Sequence, residues 1–426
     1  MTSVVEPTVT LPPQPAGTKH RFHAMIKPIG SLCNLNCTYC YYLHKDELLH
    51  QPRAPRMSDE MLERHIRQYI EAQTGDEVVF SWQGGEPTLL GVDFFRKIVT
   101  LQARYKRPYQ RIENDLQTNG TLLNEEWATF LKQHKFLVGL SCDGPQQVHD
   151  QFRITKDGQP THAKVMAAAR LLKKHEVPFN ALCVVNRENA KLQHMVYRFL
   201  TRDFGAWRVQ FIACVEPKVF RNVAPQRWDP ASLPIVGTPQ AKPGAPDSVV
   251  TDWSVDPDDW GAFLCKVWDD WYKRDYGKVH VDLFETAVAQ SLGMDAQRCV
   301  TAEFCGKGMV VEHNGDVFSC DHYAYPEYRI GNIRETHWGA MVYEGPQRAF
   351  GFAKRNTLPQ CCHQCAHLPL CWGECPKNRF VKTLDGEPGL NYLCPGMKTF
   401  YAHIQRDMPT IISRVKQEHA LNVLPR

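Results

Sequence analysis

The sequence predicts an α/β protein, a partial (β/α)6 barrel followed by a small cysteine-rich domain. Three observations carry this. β-Rich runs alternate with helical patterns as far as Phe220, which indicates parallel strands joined by crossover helices. Unusual residues collect at the C-terminal ends of those runs: Gly84–Pro87, Thr118–Gly120, Ser141–Pro145 and Cys214–Pro217. Sixteen cysteines are spread unevenly, with three near the N-terminus and nine between Cys299 and Cys394.

Residues 1–20 hold several prolines and no apolar h-region, so they read as a disordered tail and not a signal peptide. The core is expected over 21–220. Ala24–Pro28 is its first strand, and a loop with Cys33, Cys37 and Cys40 follows. Ser58 suits an N-cap, with Asp59 and Glu60 favouring the positive end of a helix running to about Ala72. Glu77–Trp82 is a strand, Asp93–Tyr105 a helix and Arg111–Gln117 a strand. Asn124 caps a helix to Gln133, and Phe136–Ser141 is the fourth strand. His162–His175 is a helix, Pro178–Val185 a strand, Glu188–Leu200 a helix and Trp207–Ala213 the sixth strand. Right-handed crossovers roll such a sheet one way, into an open or partial barrel, and barrel-like sheets carry their sites at strand C-terminal ends.

From 221 to 257 prolines interrupt every regular pattern, so this stretch is an insertion or linker, either partly disordered or ordered over a bound partner. A helical connection over 258–298 starts at Asp256 and runs to about Arg274. Its stripe of Trp260, Phe263, Leu264, Val267, Trp268 and Trp271 reads as core packing. The cysteine-rich domain is expected over 299–395. It opens on a hairpin, Val310–Cys320, whose Asn314-Gly315 turn is flanked by apolar positions. Residues 396–426 form a helical end.

The totals exclude several classes. A formal charge of +4 on 426 residues is too small to argue for nucleic acid or an anionic membrane. No apolar run approaches the ~18 residues of a spanning helix. With no export signal, so many cysteines point to metal or redox chemistry in a reducing, cytoplasmic setting. Cys142, Cys183, Cys214 and Cys265 lie in apolar stretches and read as small buried hydrophobes.

The C-x3-C-x2-C triplet is three thiols without a fourth. Structural zinc and ordinary iron–sulfur sites take four ligands; a three-cysteine [4Fe–4S] site leaves one iron open to a small molecule. Eight of the later cysteines, 299, 305, 320, 362, 365, 371, 375 and 394, suffice for two four-thiolate sites, which spacing alone leaves as iron–sulfur or zinc.

Cys33, Cys37 and Cys40, with Tyr39 between the last two, resemble the signature of the radical S-adenosyl-L-methionine (SAM) enzymes. Gly84-Gly85-Glu86-Pro87 resembles the second motif of that family. The C-terminal cysteines resemble a SPASM domain. Taken with Gln117–Thr121, Ser141–Pro145 and Glu312–His322, the chain is similar to the anaerobic sulfatase-maturating enzymes from Ala24 to its last cysteine. The resemblance implies SAM and three [4Fe–4S] clusters. Cys33, Cys37 and Cys40 would hold the first. Cys299, Cys305, Cys320 and Cys375 would hold one auxiliary cluster, and Cys362, Cys365, Cys371 and Cys394 the other, with Cys361 left over. It implies SAM contacts from Tyr39, Gly84, Gly85, Glu86, Ser141, Arg153 and Val215, and a catalytic base at Asp321. It implies oxidation of a cysteine or serine in an unfolded sulfatase to Cα-formylglycine, with electrons from a donor such as flavodoxin or ferredoxin. Two alternatives stay open: a maturase of another ribosomal peptide, and an iron–sulfur or zinc binding protein without SAM chemistry. Cys142 stands where the family is expected to have an aliphatic residue, and the proline-rich stretch exceeds what its core needs.

Overall fold

Each of the six expected strands forms, in the expected order: β1 (His23–Lys27), β2 (Glu77–Trp82), β3 (Arg111–Thr118), β4 (Leu137–Ser141), β5 (Phe179–Val185) and β6 (Arg208–Ala213). They lie side by side in chain order and all neighbours are parallel. This computed structural model describes residues 22–342 and 345–423; the tail expected over 1–20 lies outside them.

The crossover helices start where capping chemistry puts them. Ser58 Oγ accepts from the Met61 amide at 3.2 Å and opens the helix Asp59–Ala72. Asn124 Oδ1 accepts from the Trp127 amide at 3.0 Å and opens Glu125–Gln133. One crossover differs from expectation. In place of a helix over Glu188–Leu200 there is a 3-10 turn at Asn189–Lys191, an α-helix over Gln193–Arg198 and a π turn at Phe199–Asp203. The buried Asn189 amide donates to the Asp143 and Val184 carbonyls, and its oxygen accepts from the Asn186 amide. That tight local turn competes with a regular helix.

The sheet does not stop at six strands. β7 (His280–Val281) adds to β6. β8 (Gly308–Glu312) pairs in parallel with β1, in a register that sets Lys27 against Glu312. The expected hairpin turns at Gly315 and returns as β9 (Asp316–Phe318), and β10 (Arg329–Asn332) completes a ten-stranded sheet. The cysteine-rich region therefore continues the core sheet.

The tryptophan stripe of the helix Pro257–Arg274 is buried, as expected of core packing. It packs on the helix Cys394–Ile404 where Gly261 meets Gly396: a Cβ on Gly396 would stand 2.0 Å from the Pro257 carbonyl oxygen. That approach ties Cys394 to the core. Residues 221–257 are ordered against the cysteine-rich region. Tyr325 donates to the Phe220 carbonyl, Tyr328 to the Pro225 carbonyl at 2.7 Å, and Val236 N to the Lys382 carbonyl at 2.9 Å. Cys142, Cys183, Cys214 and Cys265 are all buried, the first two and Cys265 within the apolar core. No helix among the described residues is long and apolar enough to cross a membrane.

Candidate active site

The loop after β1 brings Cys33, Cys37 and Cys40 within mutual electrostatic reach. Burial pushes the Cys33 and Cys37 thiols up to about 12, and the repulsion among the three thiols adds to it; Arg153 partly offsets this at Cys37. Asn119, at the end of β3, donates to Asn34 Oδ1 at 2.9 Å and faces Cys33 Sγ at 3.9 Å. Thiols this buried shed their protons only against a compensating cation, the behaviour expected of metal ligands.

Gly84 and Gly85 press the end of β2 onto this loop. A Cβ on Gly85 would lie 2.0 Å from the Leu32 carbonyl oxygen, and Gly84 has φ +136°. The close approach that favours glycine here is to the cysteine loop itself. Glu86 points inward and accepts from Thr88 N at 3.0 Å, Thr118 Oγ1 at 2.8 Å and Asn119 N at 2.7 Å. Its carboxylate thus joins the ends of β2 and β3 and leaves only its backbone for a ligand.

Arg153 and Tyr39 converge on one buried carboxylate. Arg153 Nε donates to Asp143 Oδ2 at 3.0 Å, the Tyr39 hydroxyl donates to the same oxygen, and the guanidinium lies 5.5 Å from the Tyr39 ring centre. Ser141 ends β4 next to them and is buried. Val215 follows β6, and its carbonyl accepts from Lys377 Nζ, which also pairs with Glu216 at 3.0 Å. Both sequence halves therefore meet at Val215.

Asp321 is buried at that meeting. Lys27 Nζ lies 2.8 Å from Asp321 Oδ1, and the Tyr41 hydroxyl donates to Oδ2. Burial alone drives the Asp321 pKa up, but Lys27, His322 and Tyr41 together outweigh it and hold the carboxyl below its ordinary value. The next tyrosine donates to Glu312, which also accepts from Gln51 Nε2 at 3.0 Å. Tyr41 and Tyr42 thus tie the three-cysteine loop to the acidic residues on and after the hairpin. Neither was singled out from sequence, though their position directly after Cys40 was a usable signal. Lys45 was missed too: fully buried, its Nζ stands 3.1 Å from the Tyr325 ring centre, and burial lowers it to about 7.

The later thiols fall into two sets. Cys299, Cys305, Cys320 and Cys375 are electrostatic neighbours. Cys362, Cys365, Cys371 and Cys394 line one cavity together with Cys361. Burial pushes Cys305 and Cys362 up to about 12 and Cys394 to about 11. Among the described residues no group of three or more Cys, His, Asp or Glu is arranged to hold a single metal ion. Four thiols in each set are the donor type and number that a [4Fe–4S] cluster takes.

A model of the radical SAM superfamily matches residues 28–199, and one of an iron–sulfur cluster-binding domain, SPASM, matches 299–366. The chain is 42% identical over 382 residues to a serine-type anaerobic sulfatase-maturating enzyme of Bacteroides thetaiotaomicron, covering 90% of this chain and 89% of that protein. It is 32% identical to a cysteine-type anaerobic sulfatase-maturating enzyme of Clostridium perfringens, covering 92% and 98%. A solved structure described as native anSMEcpe with bound AdoMet and Cp18Cys peptide superposes with a TM-score of 0.77 at 32% identity, covering 92% of this chain and 99% of that one.

Proposed function

The chain belongs to the anaerobic sulfatase-maturating enzymes of the radical SAM superfamily, and on that premise we propose how its own residues divide the work. It is a radical SAM oxidoreductase that carries SAM and three [4Fe–4S] clusters and converts a cysteine or serine side chain of a sulfatase to Cα-formylglycine. Cys33, Cys37 and Cys40 hold the cluster that opens to SAM. Cys299, Cys305, Cys320 and Cys375 hold one auxiliary cluster, and Cys362, Cys365, Cys371 and Cys394 the other. The proposed domain limits are those expected above, with 221–257 serving as a packed connection.

Oxidising serine to the aldehyde removes two hydrogens in all. One leaves Cβ as a hydrogen atom, the other leaves the oxygen as a proton, and the electron left behind departs singly. When bound, SAM at the three-cysteine centre would supply the radical chemistry for the hydrogen atom, and the auxiliary clusters would offer an acceptor for the electron. Asp321 takes the proton. The observation that carries this role is its pairing: Lys27, His322 and Tyr41 keep a fully buried carboxyl ionised, so it can accept a proton at neutral pH. Tyr41 holds one carboxylate oxygen, and Lys27 pairs with the other and balances the charge. Cysteine follows the same path to a thioaldehyde, which water hydrolyses. Gly84, Gly85 and Ser141 offer backbone and hydroxyl contacts to SAM. Arg153 and Tyr39, both held by Asp143, and Val215 would complete the contacts to it.

The substrate is an extended peptide from an unfolded sulfatase, and a flavodoxin or ferredoxin supplies the priming electron. Serine is the preferred target, supported by the 42% identity to a serine-type relative against 32% to a cysteine-type one. Two peptides differing only in Ser or Cys, incubated anaerobically and read by mass, test the preference. The serine peptide is expected to lose two mass units faster, and faster turnover of the cysteine peptide would reverse the assignment. Asp321→Asn is expected to cleave SAM reductively at the wild-type rate while aldehyde formation falls by about 10² or more. Aldehyde formation at the wild-type rate would remove Asp321 as the base.

A further inference from the structure

Only Trp372, Gly373 and Glu374 separate Cys371, of one auxiliary set, from Cys375, of the other. All three are left-handed, with φ of 45°, 64° and 53°. Trp372 and Glu374 carry a Cβ and resist this conformation, so the turn needs an external hold. Arg379 provides it: its Nε donates to the Gly373 carbonyl at 3.0 Å, and its Nη2 to the Trp372 carbonyl at 2.8 Å and the Glu374 carbonyl at 3.4 Å. Its Nη1 donates to the Lys354 carbonyl at 2.6 Å. The Lys354 ammonium reaches the carbonyls of Cys299 at 2.6 Å and Val300 at 2.8 Å. Both cations are buried.

Every one of these hydrogen bonds goes to a neutral carbonyl. Among the described residues no carboxylate closes a salt bridge with Arg379 or Lys354, although Glu374 is close enough to feel both. Two buried cations without a paired anion are costly. The anions that face them are the thiolate positions: Arg379 neighbours Cys375 and Cys305 of one set and Cys362 of the other, and Lys354 neighbours Cys305 and Cys299. A cube held by four thiolates is a net anion, more so once reduced. A guanidinium never gives up its charge in a protein.

We propose that Arg379, with Lys354 beside it, is the shared counter-ion of the two auxiliary clusters, raising both reduction potentials so that they accept the electron leaving the substrate. The step is a one-electron transfer with no bond made at the cluster: the substrate-derived radical is oxidised and the cluster reduced. The proposal rests on the ligand sets assigned above.

The test uses the anaerobically reconstituted full-length enzyme, an iron count and a redox titration followed by electron paramagnetic resonance. Arg379→Gln is expected to keep its iron and to lower both auxiliary potentials. At fixed potential the reduced-to-oxidised ratio should change at least tenfold, ~59 mV for one electron. The three-cysteine cluster, held elsewhere, serves as the unshifted reference. Full iron with unmoved auxiliary potentials, or a shift in one cluster alone, overturns the shared role. If Arg379→Gln loses iron, Arg379→Lys decides, since it keeps the charge and loses the fork. Wild-type potentials there support the proposal; shifted potentials or lost iron reduce Arg379 to a clamp on the turn and overturn it. Cys362→Ala checks the ligand set separately: a full iron count in that variant would reject the set and not the counter-ion.

Discussion

At the scale of single residues, Asp321, the proposed base, and its partners are expected to set the pH response. Tyr41 donates to the ionised carboxylate, so removing its hydroxyl raises the Asp321 pKa. Because the folded pKa is depressed, base function is present above it and is lost as pH falls through it. In Tyr41→Phe the acid limb of the kcat profile for aldehyde formation is expected to move to higher pH by about one unit, the worth of one hydrogen bond to a charged group at ~1.5 kcal/mol. Reductive SAM cleavage without peptide should keep its own profile, and an unmoved acid limb would rule out the Tyr41 contact as a tuner. Lys45 also has a lowered pKa, here because burial disfavours its charged form. Its folded pKa of about 7 lies below that of a free lysine, ~10.4. Between the two values the unfolded chain binds more protons, so stability rises with pH across that window. Lys45→Met should flatten that rise, seen as a smaller gain in thermal midpoint between neutral and alkaline pH than in the wild type. The sequence offered Asp321 only through the family resemblance, as the residue after Cys320. It left Lys27, Tyr41 and Lys45 unread, because what they do depends on partners almost three hundred positions away.

At the scale of elements, local chemistry was readable and long-range pairing was not. Ser58, Asn124 and Asp256 cap the helices they were expected to cap, since capping is settled within three residues. The hairpin at Asn314-Gly315 formed as expected for the same reason, but its parallel pairing with β1 has no local sign. The order of residues 221–257 was equally hidden, because backbone carbonyls taking tyrosine hydroxyls leave no pattern in side-chain composition. The Gly84-Gly85 turn separates the two kinds of element defect. Gly85→Ala drives a Cβ onto the Leu32 backbone and should cost ~1–3 kcal/mol. It should also displace the cysteine loop, lowering the iron content of the three-cysteine site and weakening SAM binding. Ser58→Ala should cost ~1 kcal/mol of stability while leaving iron and SAM binding intact. Equal iron loss in both variants would mean the glycine acts through general stability alone.

At the scale of the molecule, the two halves of the chain form one folding unit. β1 is an interior strand, with β2 on one side and β8, from the cysteine-rich region, on the other. Lys27 at its end lies over the Tyr42 ring, 4.3 Å from its centre, and is buried against Asp321, a contact that exists only when the C-terminal half is folded. A chain stopped at residue 298 would bare the full edge of β1, a template for unwanted strand pairing. It would also remove Asp321, the anion that Lys27 pairs with in the full chain. Such a fragment is expected to self-associate in size-exclusion chromatography and to hold little iron at Cys33, Cys37 and Cys40, although it contains all three thiols and the Gly84–Pro87 turn. A full-length chain with Cys362, Cys365, Cys371 and Cys394 changed to Ala keeps the β1–β8 pairing. It should stay monomer-like and retain reductive SAM cleavage. A fragment to residue 298 that stayed unaggregated and cleaved SAM as fast as the full chain would show that the N-terminal units need nothing from the β8 edge. The shared sheet would then be a docking contact between two independent domains.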